Sequence, residues 1–152
     1  MKNTTFTFCD ADNLQMHAYQ WLPDGECKAA VQIVHGMQEH AARYARFAEV
    51  LTNAGYAVYA DDHRGHGQSV QAESELGELG PGGWRSVVRN LKQLSDHIHT
   101  AHEGLPLFLF GHSWGSFLSQ AYLQRWGSQL RGAVLCGTNG KQPLLGPTAV
   151  LG

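Results

Sequence analysis

Hydrophobic and polar positions change period several times along this chain, and each change marks an element. "TTFTF" (Thr4 to Phe8) alternates polar with apolar residues, "DADN" (Asp10 to Asn13) is rich in turn formers, and "LQMHAYQW" (Leu14 to Trp21) alternates again. Leu14, Met16 and Ala18 fall on one face, which predicts an antiparallel hairpin. "AAVQIV" (Ala29 to Val34) is short, apolar and partly β-branched, the pattern of a strand covered on both faces. Tyr44, Phe47, Ala48 and Leu51 then recur at i, i+3, i+4 and i+7, so a helix is expected from about Ala41 to Asn53, closed by Gly55.

The same logic continues downstream. "YAVYA" (Tyr56 to Ala60) predicts a strand, and the glycine-rich "DDHRGHGQS" follows it. Residues 70 to 83 are polar and glycine-rich and read as a loop. Trp84, Val87, Val88, Leu91, Leu94 and Ile98 mark a second amphipathic helix. Leu107 to Phe110 is a strand, Trp114, Phe117, Leu118, Ala121 and Tyr122 mark a third helix, and Ala133 to Cys136 is a last strand. The tail "GTNGKQPLLGPTAVLG" shows no periodic element. Strands alternating with helices of this length predict an α/β fold, a mostly parallel sheet with the hairpin at its N-terminal edge and helices on both faces.

Composition narrows the function classes. A chain of 152 residues, 43% hydrophobic, can build one core but not two ordinary domains. A formal net charge of -2 offers no basic surface for nucleic acid or anionic lipid. Three cysteines without a CxxC pair, and an N-terminus lacking an apolar run, favour a reducing, cytoplasmic setting. No apolar run reaches the roughly 18 residues of a membrane span, so lipid contact is expected to be peripheral at most.

The candidate chemistry sits in "GHSWG" (Gly111 to Gly115), directly after the apolar run "LPLFLF". A serine between two glycines, with a strand before it and a helix after it, is the context of a nucleophile elbow. The sharp turn strains the central residue and lifts its hydroxyl above the C-terminal edge of the sheet. Ser113 is therefore the candidate nucleophile. An oxyanion needs preorganised donors. The backbone N–H of Trp114 is one candidate, and the N–H of Met37, in the loop "HGMQEH" after the third strand, is the second.

The strings "HGMQEHAARYARFAEVLTNAGYAVYADDHRGHGQS" and "GHSWGS" resemble the monoglyceride lipase and lysophospholipase branch of the α/β-hydrolase superfamily, which includes serine aminopeptidase-like hydrolases. The likeness runs over nearly the whole chain and rests on "HGxxEH", "DHRGHGxS" and "GHSxG" in order. It implies a serine hydrolase that cleaves monoacylglycerol or lysophospholipid esters through an acyl-enzyme, with no metal or organic cofactor. Its nucleophile falls on Ser113 and its oxyanion donors on Met37 and Trp114. Methionine is more usual in that family where Trp114 stands, so a larger ring is expected to reshape the acyl pocket.

Ser113 also needs a histidine base and a carboxylate to orient it, which in this fold follow the serine in the chain. After Ser113 the sequence contains no Asp, Glu or His. Residues 1–152 are accordingly expected to be a single, truncated α/β-hydrolase domain without its C-terminal strands, lid, acid and base. The alternative is an inactive remnant or fragment. An uncovered sheet edge near Val134 is expected to favour self-association. The remaining histidines read as structural. His112 is expected to pack beneath the turn, His35 and His40 to support the oxyanion loop, and His63 and His66 to belong with Asp62 and Arg64 in a structural turn. A zinc site is disfavoured: His35 and His40 are five residues apart, which turns the second by about 140° on a helix. His97, His99 and His102 read as a solvated face.

Overall fold

The computed structural model describes residues 1–140; the predicted aperiodic tail from Lys141 onward lies outside the described residues. The hairpin is present as β1 (Lys2–Cys9) and β2 (Gln15–Leu22), paired antiparallel. It is followed by β3 (Ala29–Val34), a single 3₁₀ turn over Ala41–Tyr44, α1 (Ala45–Asn53) and β4 (Tyr56–Asp61). The chain continues through α2 (Trp84–Ala101), β5 (Leu107–His112), α3 (Trp114–Trp126) and β6 (Gly132–Cys136).

Every predicted element forms, with two local differences. The first turn of the expected 41–53 helix is 3₁₀ rather than α, and its first N–H, that of Ala41, is satisfied by the Asp62 carboxylate at 2.7 Å. Leu14 lies in the turn before β2 and is 38% exposed, whereas Met16 and Ala18 are buried as expected.

The sheet order is β1-β2-β4-β3-β5-β6, with β4, β3, β5 and β6 parallel. α1 covers one face through a cluster including Val31, Ile33, Ala48 and Val58. α2 and α3 cover the other through Val34, Val87, Leu91, Leu109, Leu118 and Tyr122. Strand β3 is where the order of connection reverses, since the chain leaves it towards β4 and later returns to its other side as β5. Ligands of open α/β sheets bind in the crevice at the carboxyl ends of strands at such a point. The loops that follow β3, β4 and β5 meet there.

One buried polar knot ties the periphery to this edge. The Arg64 guanidinium is 2% exposed and pairs with Asp10 (2.5 Å) and Asp12 (2.6 Å) of the hairpin turn. It also donates to Asn90 of α2 and to the carbonyls of Leu79 and Pro81. Hydrogen bonding from Arg64, against a smaller opposing effect of desolvation, holds the Asp12 carboxyl below its ordinary range. A guanidinium suits the position because its planar fork serves several acceptors at once.

Candidate active site

Ser113 joins β5 to α3 and has φ 52° and ψ -122°, a left-handed-side conformation that costs a non-glycine residue of the order of 1–3 kcal/mol. The surroundings hold it there. Its N–H donates to the Cys136 carbonyl at 2.8 Å, and its carbonyl accepts from the Ser116 N–H (2.8 Å) and hydroxyl (2.6 Å). Both flanking glycines are required by close approach. A Cβ on Gly111 would lie 2.8 Å from the Gly115 carbonyl oxygen, and one on Gly115 would lie 2.7 Å from the Val34 carbonyl carbon. The start of α3 thus rests directly on the end of β3. Ser113 is exposed at the N-terminal end of α3.

The loop after β3 lies against this serine. A Cβ on Gly36 would sit 2.8 Å from Glu39 Oε1 and 3.3 Å from Ser113 Cβ, so glycine eases the close approach. Three imidazoles and one carboxylate fix the loop's shape. His35 is fully buried; its Nε2 accepts the His63 N–H at 3.1 Å, which leaves the proton on Nδ1 to donate to the Gly36 carbonyl at 2.7 Å. Its ring stacks on His63 with centroids 3.8 Å apart, and His63 in turn faces Asp61. Burial, reinforced by the neighbouring His63, pushes the His35 imidazole far below the ordinary histidine value, so it stays neutral. Glu39 Oε1 accepts from the Gly36 N–H (2.5 Å), the Tyr44 hydroxyl (2.8 Å) and His112 Nδ1 (3.3 Å). Desolvation raises this carboxyl, but the three donors outweigh it and leave it below its usual range.

The turn after β4 completes the floor. Asp62 accepts the N–H groups of Ala41 and Gln68, both at 2.7 Å. His66 donates to the Arg64 carbonyl (2.8 Å) and stacks on Trp114, with centroids 5.6 Å apart and rings 24° from parallel. Trp84 meets the Trp114 ring edge-on at 5.8 Å. These rings, with Met37, Leu76 and Leu79, line an apolar cavity of about 810 Å³ beside Ser113. A smaller one of about 390 Å³, lined by Glu39, Arg43, Tyr44, Phe47, Phe110 and His112, opens on the other side of the Gly36 loop.

Burial also depresses the His66 imidazole, in the same sense as His35. A histidine kept neutral in the folded state adds stability that is complete above its unfolded value and is lost as pH falls below it. The urea midpoint of the chain is therefore expected to hold steady from about pH 8 to 7 and to decline below about 6.5. A flat profile down to about pH 5 would contradict it.

A family model described as serine aminopeptidase, S33, matches residues 25–151. The chain belongs to this family. Human monoglyceride lipase is 34% identical over 110 residues, which cover 72% of this chain and 35% of the lipase. Monoacylglycerol lipase of Mycolicibacterium smegmatis is 35% identical over 117 residues, covering 77% and 40% respectively. A thermostable carboxyl esterase from Bacillus coagulans, solved with glycerol, superposes with a TM-score of 0.87 at 32% identity, over 94% of this chain and 46% of the esterase. The architecture is that of the α/β-hydrolases, and the chain spans about two-fifths of the length of the curated relatives it matches.

The fold brings Ser113, Trp114, Gly36 and Met37 to one crevice, while His112, His40 and His102 depart from expectation. His112 is not beneath the turn; its side chain is 44% exposed and reaches Glu39, because the strained elbow turns residue 112 towards the Gly36 loop. His40 is exposed and contributes only its carbonyl, to the Arg43 N–H. The 97–102 cluster is only partly the solvated face expected: His97 is exposed though it stacks on Phe6, while His102 is half-buried and bonds the Tyr59 hydroxyl at 2.8 Å. No three His, Cys, Asp or Glu side chains converge on a metal-sized point among the described residues. Glu39 is the contributor that sequence reasoning missed. A carboxylate three residues after a loop glycine can reach back to that glycine's N–H, and this spacing is the signal that could have found it.

Proposed function

We propose that this chain carries the nucleophile and oxyanion donors of a serine carboxylester hydrolase acting on monoacylglycerol or lysophospholipid. Ser113 Oγ attacks the ester carbonyl, and the N–H groups of Met37 and Trp114 hold the oxyanion of the tetrahedral adduct. Collapse of the adduct expels the alcohol and leaves an acyl-serine, which water hydrolyses to the free acid and Ser113. The observation that carries this reading is the strained Ser113 at a strand–helix corner with Gly36 packed against its Cβ. The apolar cavity beside it and the names of the relatives support a single-chain lipid ester as substrate. The fold alone is equally compatible with peptide, thioester or acyl-transfer chemistry.

The acid and base come from outside residues 1–152 in this reading, and the chain by itself is inactive or nearly so. The imidazoles of His35, His63, His66, His102 and His112 are engaged with other partners. Residual turnover from binding and the oxyanion hole would reach at most about 10³–10⁴ over water. A fluorophosphonate probe tests both halves: it should label Ser113 rapidly in a form that carries the acid and base, and hardly at all in the 152-residue chain. Rapid labelling of the chain itself would show that a base is already in place.

Two expectations about the setting belong with this reading. Cys9, Cys27 and Cys136 are free thiols, which accords with a cytoplasmic location, and no helix among the described residues is long and apolar enough to cross a membrane. Both faces of β6 are thinly covered among the described residues, with Val134 57% exposed, and self-association through this strand is proposed. Sedimentation should show concentration-dependent dimers that Val134→Lys weakens; a strictly monomeric chain at high concentration would refute it.

A further inference from the structure

We propose that Glu39 is a positioning residue that clamps the oxyanion loop onto the serine elbow. The assignment rests on the reading of the Met37 N–H as an oxyanion donor. The Met37 N–H belongs to the same planar peptide unit as the Gly36 carbonyl, so whatever fixes one fixes the other. His35 Nδ1–H holds that carbonyl at 2.7 Å from inside the fold. In a trans peptide the N–H points opposite to the carbonyl, away from His35. One contact alone would still let the unit rock about Gly36, whose missing Cβ leaves its backbone torsions free.

Glu39 removes that freedom. Its Oε1 takes the Gly36 N–H at 2.5 Å, so both ends of Gly36 are pinned, one by an imidazole and one by a carboxylate. The same oxygen takes His112 Nδ1 at 3.3 Å, and His112 is the residue immediately before Ser113. Through one atom, the oxyanion loop and the elbow are therefore held in mutual register. The Tyr44 hydroxyl, at 2.8 Å, fixes the carboxylate from the 3₁₀ turn, and Arg43 Nε lies 3.7 Å from Oε2. Charge-assisted bonds of this kind are shorter and stronger than neutral ones, which suits a clamp that has to outlast a catalytic cycle. The carboxylate is mostly enclosed, and it supplies an acceptor that no backbone group in the loop provides.

The test has two independent readouts. In the 152-residue chain, Glu39→Gln is close to isosteric and should fold, while losing the charge that strengthens the Gly36 bond. The Gly36 amide proton is expected to shift upfield in a ¹H–¹⁵N spectrum, with the Met37 and Ser113 amides moving in company. In a form that turns over, the same variant should lower kcat by about 10²-fold, the scale expected for a small misplacement of a catalytic group, with KM within about twofold of wild type. Unmoved Gly36 and Met37 amides in a folded Glu39→Gln chain would overturn the clamp while leaving the nucleophile untouched. A rise in KM with kcat intact would overturn it as well, since Glu39 would then be a substrate contact. Failure of the fluorophosphonate to label wild-type Ser113 in a form that carries the acid and base would instead remove the underlying reading.

Discussion

Replacing Ser113 by alanine is expected to lower ester hydrolysis by about 10⁶-fold, the loss typical of deleting the nucleophile of a serine triad. The comparison has to be made in a form that supplies the acid and base, with a monoacylglycerol or lysophospholipid substrate. The expected pattern is a collapse of kcat with little change in substrate binding, because the apolar cavity and both backbone donors are untouched. The fold should survive: alanine at position 113 keeps the Cβ, the bond from the residue 113 N–H to Cys136, and the carbonyl that accepts from Ser116. An alanine variant that retains a tenth or more of the wild-type kcat would show that another group performs the attack.

The second large effect is on stability. Arg64→Leu should destabilise the 152-residue chain by about 3–5 kcal/mol, the cost of leaving a buried partner charge uncompensated. Asp10 is that partner. Its side chain is fully buried, and without Arg64 its Oδ2 keeps only the Asn90 amide at 3.2 Å. The carbonyls of Leu79 and Pro81 lose their donor in the same step, so the segment that carries Leu79 to Trp84 along the cavity wall is released. Urea unfolding of Arg64→Leu, Asp10→Asn and the double variant measures the coupling directly. The double variant should be less destabilised than the sum of the singles. Purely additive losses, or a single-variant loss below about 1 kcal/mol, would show that the knot is peripheral to the fold.

The order and type of the elements were legible because the period of apolar positions changes cleanly at their ends. Strand β3 coincides with "AAVQIV" because burial on both faces leaves no room for a polar exception other than Gln32, which is satisfied by Leu91 and Ser95. The elbow was legible for a different reason, as glycine on both sides of a serine answers to close backbone approach that no other residue tolerates. The acceptor at the start of the first helix was not legible, since Asp62 reaches the Ala41 N–H from 21 residues away. The roles of Glu39, Arg64 and His112 were hidden in the same way. Arg64 meets the hairpin turn and α2, and His112 meets Glu39 across 73 residues, so no local period encodes these contacts.

A crystal structure of a form that carries the acid and base, after treatment with a fluorophosphonate, tests the central claim most directly. Phosphorus bonded to Ser113 Oγ, with its phosphoryl oxygen about 2.7–3.1 Å from the backbone nitrogens of both Met37 and Trp114, is the predicted result. An adduct on another residue, or a phosphoryl oxygen turned away from those two amides, would contradict it.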